Sequence, residues 1–147
     1  MGPTVLENDK TPFVFQGEVG IIYPTARQTG IGTIGLGPCV GVGLRFKIIN
    51  EKKGDKSEIL ALAHFDAGRD INTTFNLIKN EVEGWCKKNG FKVDACDIYL
   101  NGEQVWRDTF GTSAKEYLDI VTCVRDLRST YPRGKTYVLE LPLDRES

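Results

Sequence analysis

The chain has 147 residues, 40% hydrophobic and 27% charged, with a formal net charge of −1. That length supports one hydrophobic core, and the composition is that of an ordinary soluble domain. The near-zero charge excludes the basic footprint of a nucleic-acid binder and any electrostatic pull to a membrane, and no apolar run nears the roughly 20 residues of a membrane span.

Residues 1–10 carry Gly2, Pro3, Asn8 and Asp9 and read as a loose lead-in to a single domain spanning 1–147, with no signal-peptide hydrophobic region. Phe13–Phe15 and Val19–Tyr23 predict short strands broken at Gln16-Gly17. Strand patterns recur over Ile31–Leu36 and Val40–Ile49 with Gly37-Pro38 as the bend, and the charged loop Asn50–Lys56 predicts a hairpin into the apolar run Ile59–Phe65. The period then changes. Phe75, Ile78, Val82 and Trp85 recur at helical spacing, with Asn89-Gly90 as the stop. Val93–Leu100 predicts a strand, and Asn101-Gly102 a hairpin turn into Gln104-Val105-Trp106. Ser113 and Glu116 form a capping box ahead of a stripe of Tyr117, Ile120, Val121, Val124 and Leu127, which predicts a second helix. Thr136–Leu141 is the last predicted strand, ended by Pro142. The sum is an α+β domain of roughly seven strands, with two helices covering one sheet face.

Six of the sixteen glycines fall between Gly30 and Gly43, and Cys39 sits among them behind Pro38. Glycine in a strand marks a bend or a close approach, and it leaves neighbouring N–H groups uncovered beside a side chain. Cysteine becomes a useful nucleophile when a histidine takes its proton, and the chain has one histidine, His64. The plainer alternative is a small buried thiol and a core histidine bonded to backbone. A histidine base needs a third group to fix its tautomer. Asp66, two residues on along the strand, and Thr33, on the stretch leading to Cys39, are both candidates, and spacing does not choose between them.

Gly30-Ile31-Gly32-Thr33-Ile34-Gly35 also matches G-x-G-x-x-G. The dinucleotide fingerprint needs a helix straight after those glycines, whereas here the chain continues as strand. Cys39, Cys86, Cys96 and Cys123 form no C-x-x-C pair and have no histidine at ligand spacing, so reduced thiols and no metal site are expected.

Thr33-Ile34-Gly35-Leu36-Gly37-Pro38-Cys39, followed by Ala61-Leu62-Ala63-His64, resembles the catalytic core of CheD, the bacterial chemoreceptor glutamine deamidase. That family carries T-x-G-x-G-S-C and then a strand ending in a small residue and histidine. Its Cys-His core is shared with toxins of the cytotoxic necrotizing factor type and with Burkholderia lethal factor. The resemblance covers Gly32 to Asp66. It differs in having Pro38 where the family has serine, in a longer Asn50–Ser57 loop, and in Tyr99-Leu100-Asn101-Gly102-Glu103 where CheD has G-G-A.

The resemblance implies a layered α/β/β/α-type sandwich of mostly antiparallel strands. It implies Cys39 as nucleophile, His64 as general acid/base and Thr33, ahead of Asp66, as the residue that orients the imidazole. Leu36, Gly37, Pro38 and Val40 would be the backbone support for the oxyanion. The expected activity is hydrolysis of a glutamine side chain on a protein substrate, without cofactor, by a monomer. The setting would be the bacterial cytoplasm or, after export without a cleavable signal, a host cytosol. Chemoreceptor-type deamidation, capture of the acyl-enzyme by an amine, and a non-catalytic binding module on the same scaffold are the alternatives. Thr33→Ala is expected to cost rate with little loss of stability.

Overall fold

The computed structural model describes residues 3–7, 10–24, 27–34, 36, 39–66, 70–102, 104–126 and 138–142. In chain order the elements are β1 (Thr4–Val5), β2 (Val19–Ile22), β3 (Gly30–Ile34), β4 (Val40–Asn50), β5 (Lys56–Phe65), α1 (Ile71–Asn89), β6 (Phe91–Gly102), α2 (Gln104–Tyr117), β7 (Val121–Asp126) and β8 (Val138–Pro142). Six strands form a mixed sheet in the order β1-β2-β5-β4-β6-β7, and β3 pairs antiparallel with β8 in a second sheet. The β1–β2 and β6–β7 pairs are parallel, and the remaining pairs of the large sheet are antiparallel.

Alternation along the central strands sorts their side chains onto two faces. Val40, Val42, Leu44, Phe46 and Ile48 of β4 and Ile59, Ala61, Ala63 and Phe65 of β5 pack with Phe75, Ile78, Val82 and Cys86 of α1 and with Phe110 and Ala114 of α2. Leu60 and Leu62 point the other way, into a smaller cluster with Val14, Ile31, Leu36 and Cys39. Among the described residues both helices lie on one face of the large sheet and β3–β8 on the other, so the layers run α/β/β. Arg45 of β4 ties the two sheets together, with Nη2 donating to the Pro142 carbonyl at 2.7 Å and Nη1 paired with Glu58.

The first helix follows its periodicity. Asp70 caps it by accepting from the Thr73 N–H at 3.1 Å, and Gly90 closes it in the left-handed region at φ 73°. Trp85, at the edge of the predicted stripe, stacks on Tyr23 with ring centroids 4.9 Å apart. The Asn50–Lys56 loop is a hairpin turn, with Asn50 N–H donating to the Asp55 carbonyl.

Four expectations fail. Phe13–Phe15 makes only an isolated bridge to Gly32, because Val14 turns its carbonyl toward a side chain instead of continuing a ladder. Gln104-Val105-Trp106 opens α2 and is no returning hairpin strand. Ser113 lies inside that helix, so Ser113 and Glu116 are no N-terminal cap. Val121–Asp126 is strand β7, laid parallel to β6, where a helical stripe was expected. The run Val-Thr-Cys-Val is rich in β-branched residues, and its three-residue spacing fits either period over so short a length. The true buried stripe of α2 is Arg107, Phe110 and Ala114, continued by Leu118 just beyond its end. Leu127, Thr136 and Tyr137 lie outside the described residues.

Candidate active site

His64 is on the face of β5 that looks toward the small sheet, with 2% of its surface exposed. Its backbone is held on both sides by the preceding turn: Gly17 N–H donates to the His64 carbonyl at 2.9 Å, and His64 N–H donates to the Glu18 carbonyl at 3.1 Å. Ile31 and Thr33 of β3 point down onto the same face, and Thr33 Oγ1 lies 2.7 Å from His64 Nδ1. The same hydroxyl lies 2.7 Å from the Val14 carbonyl. A carbonyl only accepts, so the single hydroxyl proton goes to Val14 and Nδ1 must donate its own N–H to Oγ1. The neutral imidazole is thereby fixed as the Nδ1–H tautomer, with a lone pair on Nε2. Nε2 is buried and has no hydrogen-bond partner among the described residues.

Cys39 stands just ahead of β4 with 5% of its surface exposed. Its position among Leu60, Leu62, Ile31 and Leu36 puts its side chain on the His64 face. Gly41, two residues on, pairs directly with His64. Cys39 is therefore one diagonal step from the imidazole, a Cβ separation of about 7 Å that long side chains span. Gly41 contributes no side chain to the space between them. No hydrogen bond joins Sγ and Nε2 in this state. From β6, Gly102 pairs with Val40 and has φ 115°, and a Cβ there would strike the Cys39 carbonyl and come within 3.1 Å of Val40 Cα. Gly102 thus lets β6 press against the backbone that presents the thiol.

Burial favours the neutral form of both groups. Burial pushes the Cys39 thiol up from its ordinary 9.0, and the Asp66 charge adds to the effect. Burial holds the His64 imidazole below its ordinary 6.5, partly opposed by Asp66. Asp66, the other candidate orienter, sits half-buried just past β5 and acts on both groups through its charge; the contact to Nδ1 is made by Thr33. Burial thus favours a neutral thiol and a neutral imidazole over a thiolate–imidazolium pair.

Of the expected oxyanion support, Leu36 is fully buried in the cluster beneath the site and Val40 begins β4, bracketed by Phe65 and Gly102. Gly37 and Pro38 lie outside the described residues, and a proline carries no N–H to donate in any case. Sequence reasoning missed Val14, which acts through its backbone carbonyl and so leaves no side-chain signal. It also missed Gly41 as the gap between thiol and base, and it took Gly102 for a turn residue. Alternation along Val40–Gly43 was enough to place Gly41 on the Cys39 face.

The other cysteines make no comparable arrangement. Cys86 is on the buried face of α1, where burial pushes its thiol up to about 11, and Cys96 faces the helices. The Cys123 thiol donates to Asp97 Oδ1 at 3.1 Å. Among the described residues no helix is long and apolar enough to cross a membrane. Comparison with protein-family models and with curated proteins gave no match for this chain.

Proposed function

We propose that this chain is a cysteine-dependent protein-glutamine deamidase, with a scaffold of the CheD and cytotoxic necrotizing factor type. The observation that carries the reading is the Thr33–His64 bond at 2.7 Å, which leaves the Nε2 lone pair free on the face where Cys39 emerges. Most buried polar atoms have a hydrogen-bond partner, and an unpartnered Nε2 supports a role as proton acceptor.

Cys39 Sγ attacks the carboxamide carbon of a glutamine side chain while His64 Nε2 takes the thiol proton. The imidazolium gives that proton to the departing nitrogen, ammonia leaves, and a thioester remains. Nε2 then takes a proton from water, whose oxygen attacks the thioester, and glutamate and free thiol are released. Thr33 accepts from Nδ1 throughout and keeps the ring turned toward the sulfur. The product carries one more negative charge than the substrate, which is how such an edit alters the target's interactions. The target belongs either to a bacterial signalling system or to a host cell that receives the protein as an effector.

The test is ammonia release together with mass spectrometry for glutamine-to-glutamate conversion in protein extracts. The wild-type chain should give both, and Cys39→Ala and His64→Ala neither. Conversion that survives in Cys39→Ala would remove the cysteine mechanism. Adding a primary amine separates hydrolysis from amine capture.

A further inference from the structure

On the helix side of the large sheet a cavity of about 430 Å³ opens between α1, the start of β6 and the turn that joins α2 to β7. Phe46 and Glu51 line it, so it lies across the sheet from His64 and toward the other end of β4. Its floor is apolar. Phe46, Val82, Cys86 and Leu118 are buried core residues there, and Phe91 and Ile120 are only partly covered. A cavity of this size, with an apolar floor and a few polar groups around it, has the usual make-up of a small-molecule site. The charged groups are at the mouth. Lys79, Glu83 and Lys87 follow at steps of four along α1 and so share one face of the helix. Glu51, Lys92 and Asp119 complete the opening.

Lys79 Nζ and Asp119 Oδ1 are 3.8 Å apart and compensate each other. Glu51, Glu83, Lys87 and Lys92 are exposed and make no ion pair among the described residues. Two carboxylates and two ammonium groups therefore remain around one opening. A lone anion there gains from the lysines and loses to the glutamates, and a lone cation does the reverse. A ligand with one charge of each sign beside an apolar body meets both sets while it fills the floor. We propose that this cavity binds an apolar α-amino acid as its zwitterion. The side chain rests against Phe46, Phe91 and Ile120, the carboxylate turns toward Lys87 and Lys92, and the ammonium group turns toward Glu51 and Glu83. None of these residues belongs to the Cys39–His64 site, so binding here is independent of the deamidase reading.

The probes are L-phenylalanine and L-leucine, titrated into the full chain by calorimetry. Their single-charge analogues keep the same body: 3-phenylpropanoate and 4-methylpentanoate carry only the carboxylate, and 2-phenylethylamine and 3-methylbutylamine carry only the ammonium group. At least one of the amino acids should bind saturably at one site. Its two analogues should bind at least about fivefold more weakly, the upper range for loss of one partly solvated ion pair. The double variants Lys87→Gln/Lys92→Gln and Glu51→Gln/Glu83→Gln should each weaken the amino acid by a similar factor. All four positions are exposed, so both variants should keep the wild-type thermal unfolding curve. Cys39→Ala should bind as wild type does, so loss of deamidation and loss of binding are read separately. Binding of neither amino acid, analogues that bind as tightly as their parent, or undiminished binding in either double variant would each overturn the assignment.

Discussion

The Thr33 hydroxyl is shared by two buried groups, and removing it strands both. Thr33→Val keeps the shape but leaves the Val14 carbonyl and the His64 Nδ1–H without partners. The expected loss is about 1–3 kcal/mol for each group left unsatisfied, measured by urea denaturation. Activity should fall with it, because the ring is then free to turn or to change tautomer, and Thr33→Ser should restore both. The sequence led us to expect little loss of stability from changing Thr33. That expectation is revised here because Val14, the second partner, acts through a carbonyl that no residue type announces. Acidity gives a second check on the same pair. In the proposed reaction Cys39 gives its proton to neutral His64; burial holds the His64 pKa below its ordinary 6.5 and pushes the Cys39 thiol above its ordinary 9.0. The rate should therefore rise with pH along an acid limb centred below 6.5, stay level through neutrality, and change again only above 9. A preformed thiolate–imidazolium pair would instead show Cys39 alkylation saturating in mildly acidic solution, and that result would sink the neutral-pair account. Stability moves in the same direction as activity on the acid side. The unfolded chain takes up the His64 proton first, so the stability that the depressed pKa contributes is complete above 6.5 and is lost as pH falls toward the folded value.

Among the elements, the end of β6 decides where the thiol stands. Gly102 is in a region that other residues enter at a cost of about 1–3 kcal/mol, and any Cβ there also meets the Cys39 carbonyl. Gly102→Ala should lower stability by at least that strain and slow alkylation of Cys39, whereas Gly90→Ala should lower stability alone. Gly90 also has a positive φ, 73°, with open space around its Cα, so it separates backbone strain from displacement of Cys39. Equal alkylation rates in the two variants would show that Gly102 does not position Cys39. The same glycine explains why α2 was misread. Asn101-Gly102 carries the strongest short turn signal in the chain, but its left-handed glycine serves a close approach to β4, and the helix starts almost at once. The paired strands β4 and β5 and the helix α1 were legible because each is long, strongly periodic and flanked by clear stops. β7 was not, because a six-residue strand at the sheet edge gives too few positions to separate a period of two from one of 3.6.

At the scale of the whole molecule, the proposed site depends on two sheets keeping their spacing. Thr33 comes from the small sheet, His64 from the large one and Cys39 from the residue just ahead of β4, and nothing in the local sequence of these stretches encodes the distance between them. Pairing of the small sheet joins residues 30–34 to residues 138–142, which sequence reading could place as strands but could not match. Arg45 is one strut across the gap. It lies on the same face as Cys39 and Gly41, bonds Pro142 at the end of β8, and is paired with Glu58 on β5. Arg45→Met should cost about 3–5 kcal/mol, because Glu58 is left as a poorly solvated charge without its guanidinium. The double variant Arg45→Met/Glu58→Met removes that charge and should recover much of the loss in a urea titration. The bond to Pro142 is absent from both. If that bond sets the spacing of the sheets, the double variant should regain stability while acetylation of Cys39 by p-nitrophenyl acetate stays slow and β3 amides exchange faster with solvent. Recovery of acetylation in step with stability would mean that packing of Ile31, Leu36, Leu60 and Leu62 holds the sheets together without the strut. The Thr33–His64 distance would then be a property of the core rather than of Arg45.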